Sequence, residues 1–158
     1  MTLADKQRQL IADYFIIDDP QERLAAIVDR ARKIPPLPAT ERTESNRVKG
    51  CVSLAWVVGE LREGRCHFRS DADSPLVRGL LKLLGDFYSG APPAEVAATE
   101  PALLEQLGLD RNLSPTRLNG LKSAAATIRA FARSVDVAAQ RLPAVAPSER
   151  RLGPRKNP

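Results

Sequence analysis

The sequence predicts an α+β domain, with helices packed around one small antiparallel sheet. Two observations carry that prediction. Apolar residues recur at helical spacing on both sides of residues 47–70. Inside that window two β-prone runs, Val52–Arg62 and Arg65–Ser70, flank Glu63-Gly64, a dipeptide suited to a tight hairpin turn. At 158 residues the chain can bury one full core and is short for two. Helices grouped about a lone hairpin fold as an α+β layer arrangement.

Leu3, Leu10, Ile11, Tyr14, Phe15 and Ile17 follow the spacing of a first amphipathic helix. Asp19-Pro20-Gln21-Glu22 opens a second, with an acceptor at the cap, a proline in the first turn and a carboxylate able to reach back. Leu24, Ile27, Val28 and Ala31 form its buried face. Pro35-Pro36 stops it, because neither ring can donate and each restricts the residue before it. Residues 37–46 are polar and irregular, and Arg47–Lys49 reads as a short strand leading into Gly50-Cys51. After the hairpin, Ser74-Pro75 starts a helix facing inward with Leu76, Val77, Leu80, Leu81, Leu84, Phe87 and Tyr88, and Gly90 follows its end. Pro92–Ala98 and Pro101–Leu107 are short helices, the second closed by Gly108. Ser114-Pro115 caps the last helix, whose seam is Leu118, Leu121, Ala125, Ile128, Ala132 and Val135. From Pro143 onward, proline and basic residues leave too little apolar surface to order the chain. The expected organisation is a folded domain over residues 1–140 and a disordered basic tail over 141–158.

The net charge of +5 and the pI near 9.6 raise the question of nucleic acid, and the distribution answers it. Arg141, Arg150, Arg151, Arg155 and Lys156 stand against Glu149 in the tail, which leaves the first 140 residues at +1. A basic tail without aromatics argues against a nucleic-acid partner. No apolar run approaches the ~18 residues of a membrane span. Asp5, Lys6 and Arg8 ahead of the first apolar block do not read as a secretion signal. Two cysteines in such a chain point to thiol chemistry or plain packing rather than a disulfide framework, and to the cytoplasm.

The chemically distinctive stretch is Val48-Lys49-Gly50-Cys51-Val52-Ser53-Leu54-Ala55-Trp56. Arg47 and Lys49 place cations near a thiol, and Gly50 allows a sharp turn that lifts Cys51 out of the strand. The same residues also suit a small buried cysteine at a strand start. The segment resembles the signature of the SufE family of cysteine desulfuration proteins, roughly Gly-Cys-Gln-Ser-Gln-Val-Trp. Gly50, Cys51, Ser53 and Trp56 match, while Val52 and Leu54 stand where the family has glutamine. Two further motifs follow in the family's order. They are Ser70-Asp71-Ala72-Asp73 with Val77-Arg78-Gly79, and Leu113-Ser114-Pro115-Thr116-Arg117 with Gly120-Leu121. The similarity runs from about residue 5 to about residue 137.

The resemblance implies a three-stranded antiparallel sheet with helices against it, a shape shared with IscU-type iron–sulfur scaffolds. It implies a sulfur acceptor that stimulates a cysteine desulfurase such as SufS, carries its sulfur as a persulfide on Cys51, and delivers it to a SufBCD-type scaffold. The CsdE branch, serving a different desulfurase, is the alternative within the resemblance. The pyridoxal phosphate belongs to the desulfurase, and the chain itself needs no cofactor and no metal; a monomer or weak dimer is expected. Gly50, Lys49, Ser53, Asp73 and Arg117 are the expected supporting or partner-binding residues. Arg117 works against the helix dipole at the first turn of the last helix and matches the arginine of the family's Ser/Thr-Pro-x-Arg motif. It serves the cysteine loop or pairs with Asp110, Asp71 or Asp73. Asp73 caps a helix or acts as a lid over that loop. Val52 and Leu54 suit a partly apolar pocket, and Trp56, on their strand face, packs or meets a partner.

Hairpin register tests the rivals. With Glu63-Gly64 as a two-residue turn, Leu61 faces Cys66 and Glu60 faces His67. Cys51 then lies on the order of 30 Å away along the strand, too far for a disulfide to Cys66 or a nucleophile–base pair with His67. A metal site lacks converging soft ligands, and a thiol redox protein lacks a resolving cysteine near Cys51. Cys66 is expected to pack and His67 to be solvated. An adaptor with an inert Cys51 remains as the third class. A carrier must shield its sulfur and also expose it, so Cys51 is expected to be largely buried in the free protein and to swing outward about Gly50.

Overall fold

The computed structural model describes residues 1–141. The expected tail lies outside the described residues, apart from Arg141 at the end of the last helix.

Helix α1 (Leu3–Phe15) starts on a reciprocal cap: the Thr2 hydroxyl accepts from the Asp5 N–H, and the Asp5 carboxylate accepts from the Thr2 N–H. It buries Leu3, Leu10 and Tyr14, while Phe15 and Ile16 at its end stay exposed. Helix α2 (Pro20–Arg32) begins as expected at Asp19, whose carboxylate accepts from the Glu22 N–H at 3.3 Å. Its buried face holds Ile27 and Ala31, and also Arg23. The Arg23 guanidinium donates to the carbonyls of Ile17, Asp18 and Leu107, which satisfies a cation that apolar periodicity does not flag.

Strands β1 (Ala55–Arg62) and β2 (Arg65–Ala72) pair antiparallel, with Leu61 opposite Cys66 and Glu60 opposite His67, the register the turn implies. Glu63 and Gly64 have φ of 52° and 76°, both left-handed, as a type I′ turn requires. Two expectations fail here. The strand begins at Ala55 rather than Val52, because residues 52–54 bend before joining it. The third strand is reduced to one bridge between Arg47 and Trp56, leaving a two-stranded sheet among the described residues. Gly50, at φ 78°, turns the chain immediately after Lys49, so the ladder cannot grow.

Helix α3 (Pro75–Tyr88) lies on β2, and α2 lies on α3. The short helices α4 (Pro93–Ala98) and α5 (Leu103–Gln106) lead to α6 (Pro115–Arg141), which packs on α4 and β1. Helix α5 is shorter than the expected Pro101–Leu107, and Gly108 follows it at φ 73°. Leu80, Leu84, Phe87, Tyr88, Leu103, Leu107 and Ile128 are almost fully buried. Phe68 meets Tyr88 and Phe131 edge-on, at 6.5 and 5.6 Å between centroids. Gly59 lets α6 close onto β1, since a Cβ there would fall 2.8 Å from the Phe131 ring. Among the described residues no helix is long and apolar enough to cross a membrane.

Candidate functional site

Cys51 stands on a loop whose two shoulders are pinned. The Val48 N–H donates to the Ala55 carbonyl at 2.9 Å, and the Asp73 N–H donates to the Leu54 carbonyl at 3.0 Å. Between those bonds the chain turns at Gly50 and lies down on the first part of α6. A Cβ built on Gly120 would sit 3.0 Å from the Cys51 Sγ, and one built on Gly50 would sit 3.1 Å from the Ser123 Oγ. The sulfur borders a cavity of about 230 Å³ between the loop, α3 and α6. Val48, Ala55, Val77, Leu81 and Leu121 make its apolar walls, while Ser53, Thr116 and Arg117 supply its polar side. Cys51 is half-buried, less withdrawn than the sequence leads one to expect.

The fold brings Cys51, Ser53 and Arg117 together around this cavity and places Gly50 at its turn. Arg117 is exposed, makes no ion pair among the described residues, and so does not form the pairing with Asp110, Asp71 or Asp73. Its backbone N–H donates to the Ser114 Oγ, which confirms Ser114 as the cap of α6. Lys49 points elsewhere: its ammonium pairs with Glu44 at 3.1 Å, and Arg47 reaches the same carboxylate at 3.8 Å. The cation at the cavity is therefore Arg117.

Asp73 is not the cap of α3. Ser74 is, its hydroxyl accepting from the Val77 N–H at 3.4 Å, because Pro75 takes the first helical position and leaves the cap to the residue before it. Asp73 is exposed and contributes its backbone N–H to the loop's shoulder. Val52 and Leu54 are 79% and 40% exposed, so they form the rim of the site and not an enclosing wall. Trp56 does not share a strand face with them, since they precede the strand. It is buried, with the Arg42 guanidinium 5.7 Å from its ring centroid.

Two arrangements were given no role from sequence, although their central residues stand in the second and third motifs. One is Gly120 beneath the thiol. The other is the support behind the loop, centred on buried Asp71. Its carboxylate accepts from the Leu37 and Ala72 N–H groups and from the Arg78 Nε, each at 2.9 Å, and pairs with Arg42 at 3.2 Å. Burial would raise the Asp71 carboxyl, but those donors outweigh it and hold the group below the ordinary carboxylate range. Arg78 also donates to the carbonyls of Ala31 and Ile34, tying the end of α2 to the same knot. An acid directly after the β-prone run Arg65–Ser70, within the second motif, was the available signal.

Cys66 is fully buried beside the hairpin turn, and burial pushes its thiol pKa up. Six ladder steps separate Leu61, its partner, from Ala55 beside the cysteine loop, about 20 Å of strand. His67 is half-buried opposite Glu60. Among the described residues no group of three or more His, Cys, Asp or Glu is placed to hold a metal ion.

Fold and site together describe a small α+β protein that presents one accessible thiol from a pinned loop. The chain belongs to the SufE family: the family model, described as an Fe–S metabolism associated domain, matches residues 8–132. An uncharacterised SufE-like protein of Rhizobium etli is 35% identical over 130 residues, covering 79% of this chain and 88% of that one. SufE-like protein 1 of Arabidopsis thaliana, chloroplastic/mitochondrial, is 32% identical over 120 residues, covering 75% of this chain and 32% of the plant protein. The solution structure of a hypothetical protein from Thermus thermophilus shares the fold, with a TM-score of 0.67 at 24% identity, covering 82% of this chain and 94% of that one.

Proposed function

We propose that this chain accepts sulfur on Cys51 from the persulfide of a SufS-like cysteine desulfurase, carries it, and passes it to a SufBCD-type scaffold in the cytoplasm. The Cys51 thiolate attacks the terminal sulfur of the donor's persulfide. A new S–S bond forms on Cys51, the donor's S–S bond breaks, and the donor cysteine leaves as a thiolate. One sulfane sulfur moves, with no net oxidation. Release repeats the exchange with Cys51 as the leaving group. Pyridoxal phosphate serves the donor enzyme, and this chain's part needs no cofactor of its own.

The observation that carries this reading is the placement of Cys51 at the mouth of a small, mostly apolar cavity with Arg117 on its polar side. The cavity has room for one further sulfur atom, its apolar walls border that sulfur on the inner side, and Arg117 offers a cation to the anionic sulfur. Cys66, buried and at the far end of the hairpin, supports a role for Cys51 as carrier without a resolving partner. The test is mass spectrometry after incubation with a desulfurase and cysteine. The expected result is the mass of one added sulfur on the Cys51 peptide, removed by a thiol reductant; a chain that stays unmodified while the desulfurase turns over would sink the proposal.

A further inference from the structure

We infer that Gly120 is a positioning residue for the acceptor thiol: the side chain it lacks is the seat into which Cys51 settles, and that seat sets how far the sulfur is withdrawn. The consequence for a carried sulfur rests on the function proposed above; the seat itself does not. The three nearest heavy atoms that a Cβ at 120 would meet all belong to Cys51, with Sγ at 3.0 Å, Cβ at 3.4 Å and Cα at 3.5 Å. Carbon–carbon contacts settle at about 3.5–4.0 Å, and sulfur is larger, so a methyl there displaces the thiol by several tenths of an ångström.

The direction of that displacement is limited. Both shoulders of the loop are hydrogen-bonded to neighbouring strands and turns. Gly50 already lies close over Ser123, one turn further along the same helix, which blocks a slide in that direction. Gly120 itself lines the cavity, so a side chain there takes up space beneath the thiol and leaves the mouth, where Val52 is exposed, as the open side. A side chain at 120 therefore lifts the thiol toward solvent. Glycine is the poorest helix former after proline, and Gly120 lies in the second turn of α6 against that preference. The contact with Cys51 accounts for its presence.

The experiment compares the full chain with Gly120→Ala and Gly120→Val. It reads the alkylation rate of Cys51 by iodoacetamide, with Cys66 followed separately by peptide mass, and thermal unfolding alongside. The expected order of rates is Gly below Ala below Val, with Val faster than wild type by about tenfold or more, a factor equal to 1.4 kcal/mol of closed-state preference. Cys66 stays unreactive, and the alanine variant melts no lower than wild type because alanine favours the helix. If the valine variant does not fold, the alanine variant carries the comparison alone. Equal Cys51 rates in folded protein, or faster alkylation of Cys66 together with Cys51, overturn the seat. After loading by a desulfurase and cysteine, the persulfide is expected to be lost to dithiothreitol in the same order. A wild-type chain that takes up no sulfur while the alkylation order holds removes the carrier reading and leaves the seat standing; sulfur uptake with unchanged alkylation does the reverse.

Discussion

Cys51 and Cys66 differ in what surrounds them, and the difference is measurable one residue at a time. Cys51→Ser is expected to abolish sulfur acceptance with a stability change within about 0.5 kcal/mol, because the side chain is half-buried on a loop. Residual sulfur on the variant, found by mass, would refute its role. Cys66→Ser reverses the pattern. It places a hydroxyl in a fully buried site, costing about 1–3 kcal/mol in denaturant unfolding, yet it keeps sulfur acceptance. Arg117→Ala removes an exposed cation that no carboxylate holds among the described residues. It is expected to slow sulfur transfer by about tenfold, the size of one lost charge-assisted contact, and to leave the melting temperature unchanged. Transfer at the wild-type rate would return Arg117 to an ordinary surface residue.

At the scale of elements, the Asp71 knot joins β2, α2 and the segment before the cysteine loop. Asp71→Asn leaves Arg78 with an uncompensated charge, and a loss of about 3 kcal/mol is expected, the lower end for breaking a buried pair. The pH dependence has a definite sign. The folded Asp71 carboxyl lies below its unfolded value, near 3.9. Its stabilisation is therefore complete above that value and is lost as pH falls through the depressed folded one. Wild type and Asp71→Asn should converge in stability as pH falls below about 4, the unfolded value; a gap that stays constant as the pH is lowered would mean the charge contributes nothing. This knot was not legible in the sequence, because the Leu37–Asp71 bond spans 34 positions and no local pattern records it. The hairpin was legible, since Glu63-Gly64 leaves room for one register. The misread stretch, Val52–Leu54, has the β-branched and apolar side chains of a strand, and what bends it is the turn at Gly50 and the seat on α6. Cys51 itself could be picked out from its neighbours; Gly120 stood in the third motif, but its contact with the thiol, 69 positions away, could not be read.

For the whole molecule, residues 1–141 contain the hairpin, the cavity and all three motif segments. Deleting residues 143–158 takes away four cations and Glu149, lowering the net charge from +5 to +2. Unchanged sulfur acceptance is expected, with an altered dependence of solubility on salt. Loss of desulfurase stimulation in the shortened chain would make the basic segment a docking arm. The order of helices and the packing of the core followed from periodicity and punctuation because those signals are repeated many times along the chain. The site depends on a few contacts made once.

The two hydrogen bonds that pin the cysteine loop at Val48–Ala55 and Leu54–Asp73 have a consequence for how opening responds to denaturant. Residues 49–53 lie as a flap between fixed ends, so an opening confined to them leaves the strands paired and exposes only the loop and the cavity it borders. An event of that kind has an m-value close to zero, whereas global unfolding of the hairpin does not. Amide exchange at Gly50–Ser53 should therefore stay flat as sub-denaturing urea is added, while exchange at Val57 and Phe68 steepens with it. Loop amides that follow the hairpin's slope would mean that the thiol is exposed only when the sheet itself comes apart.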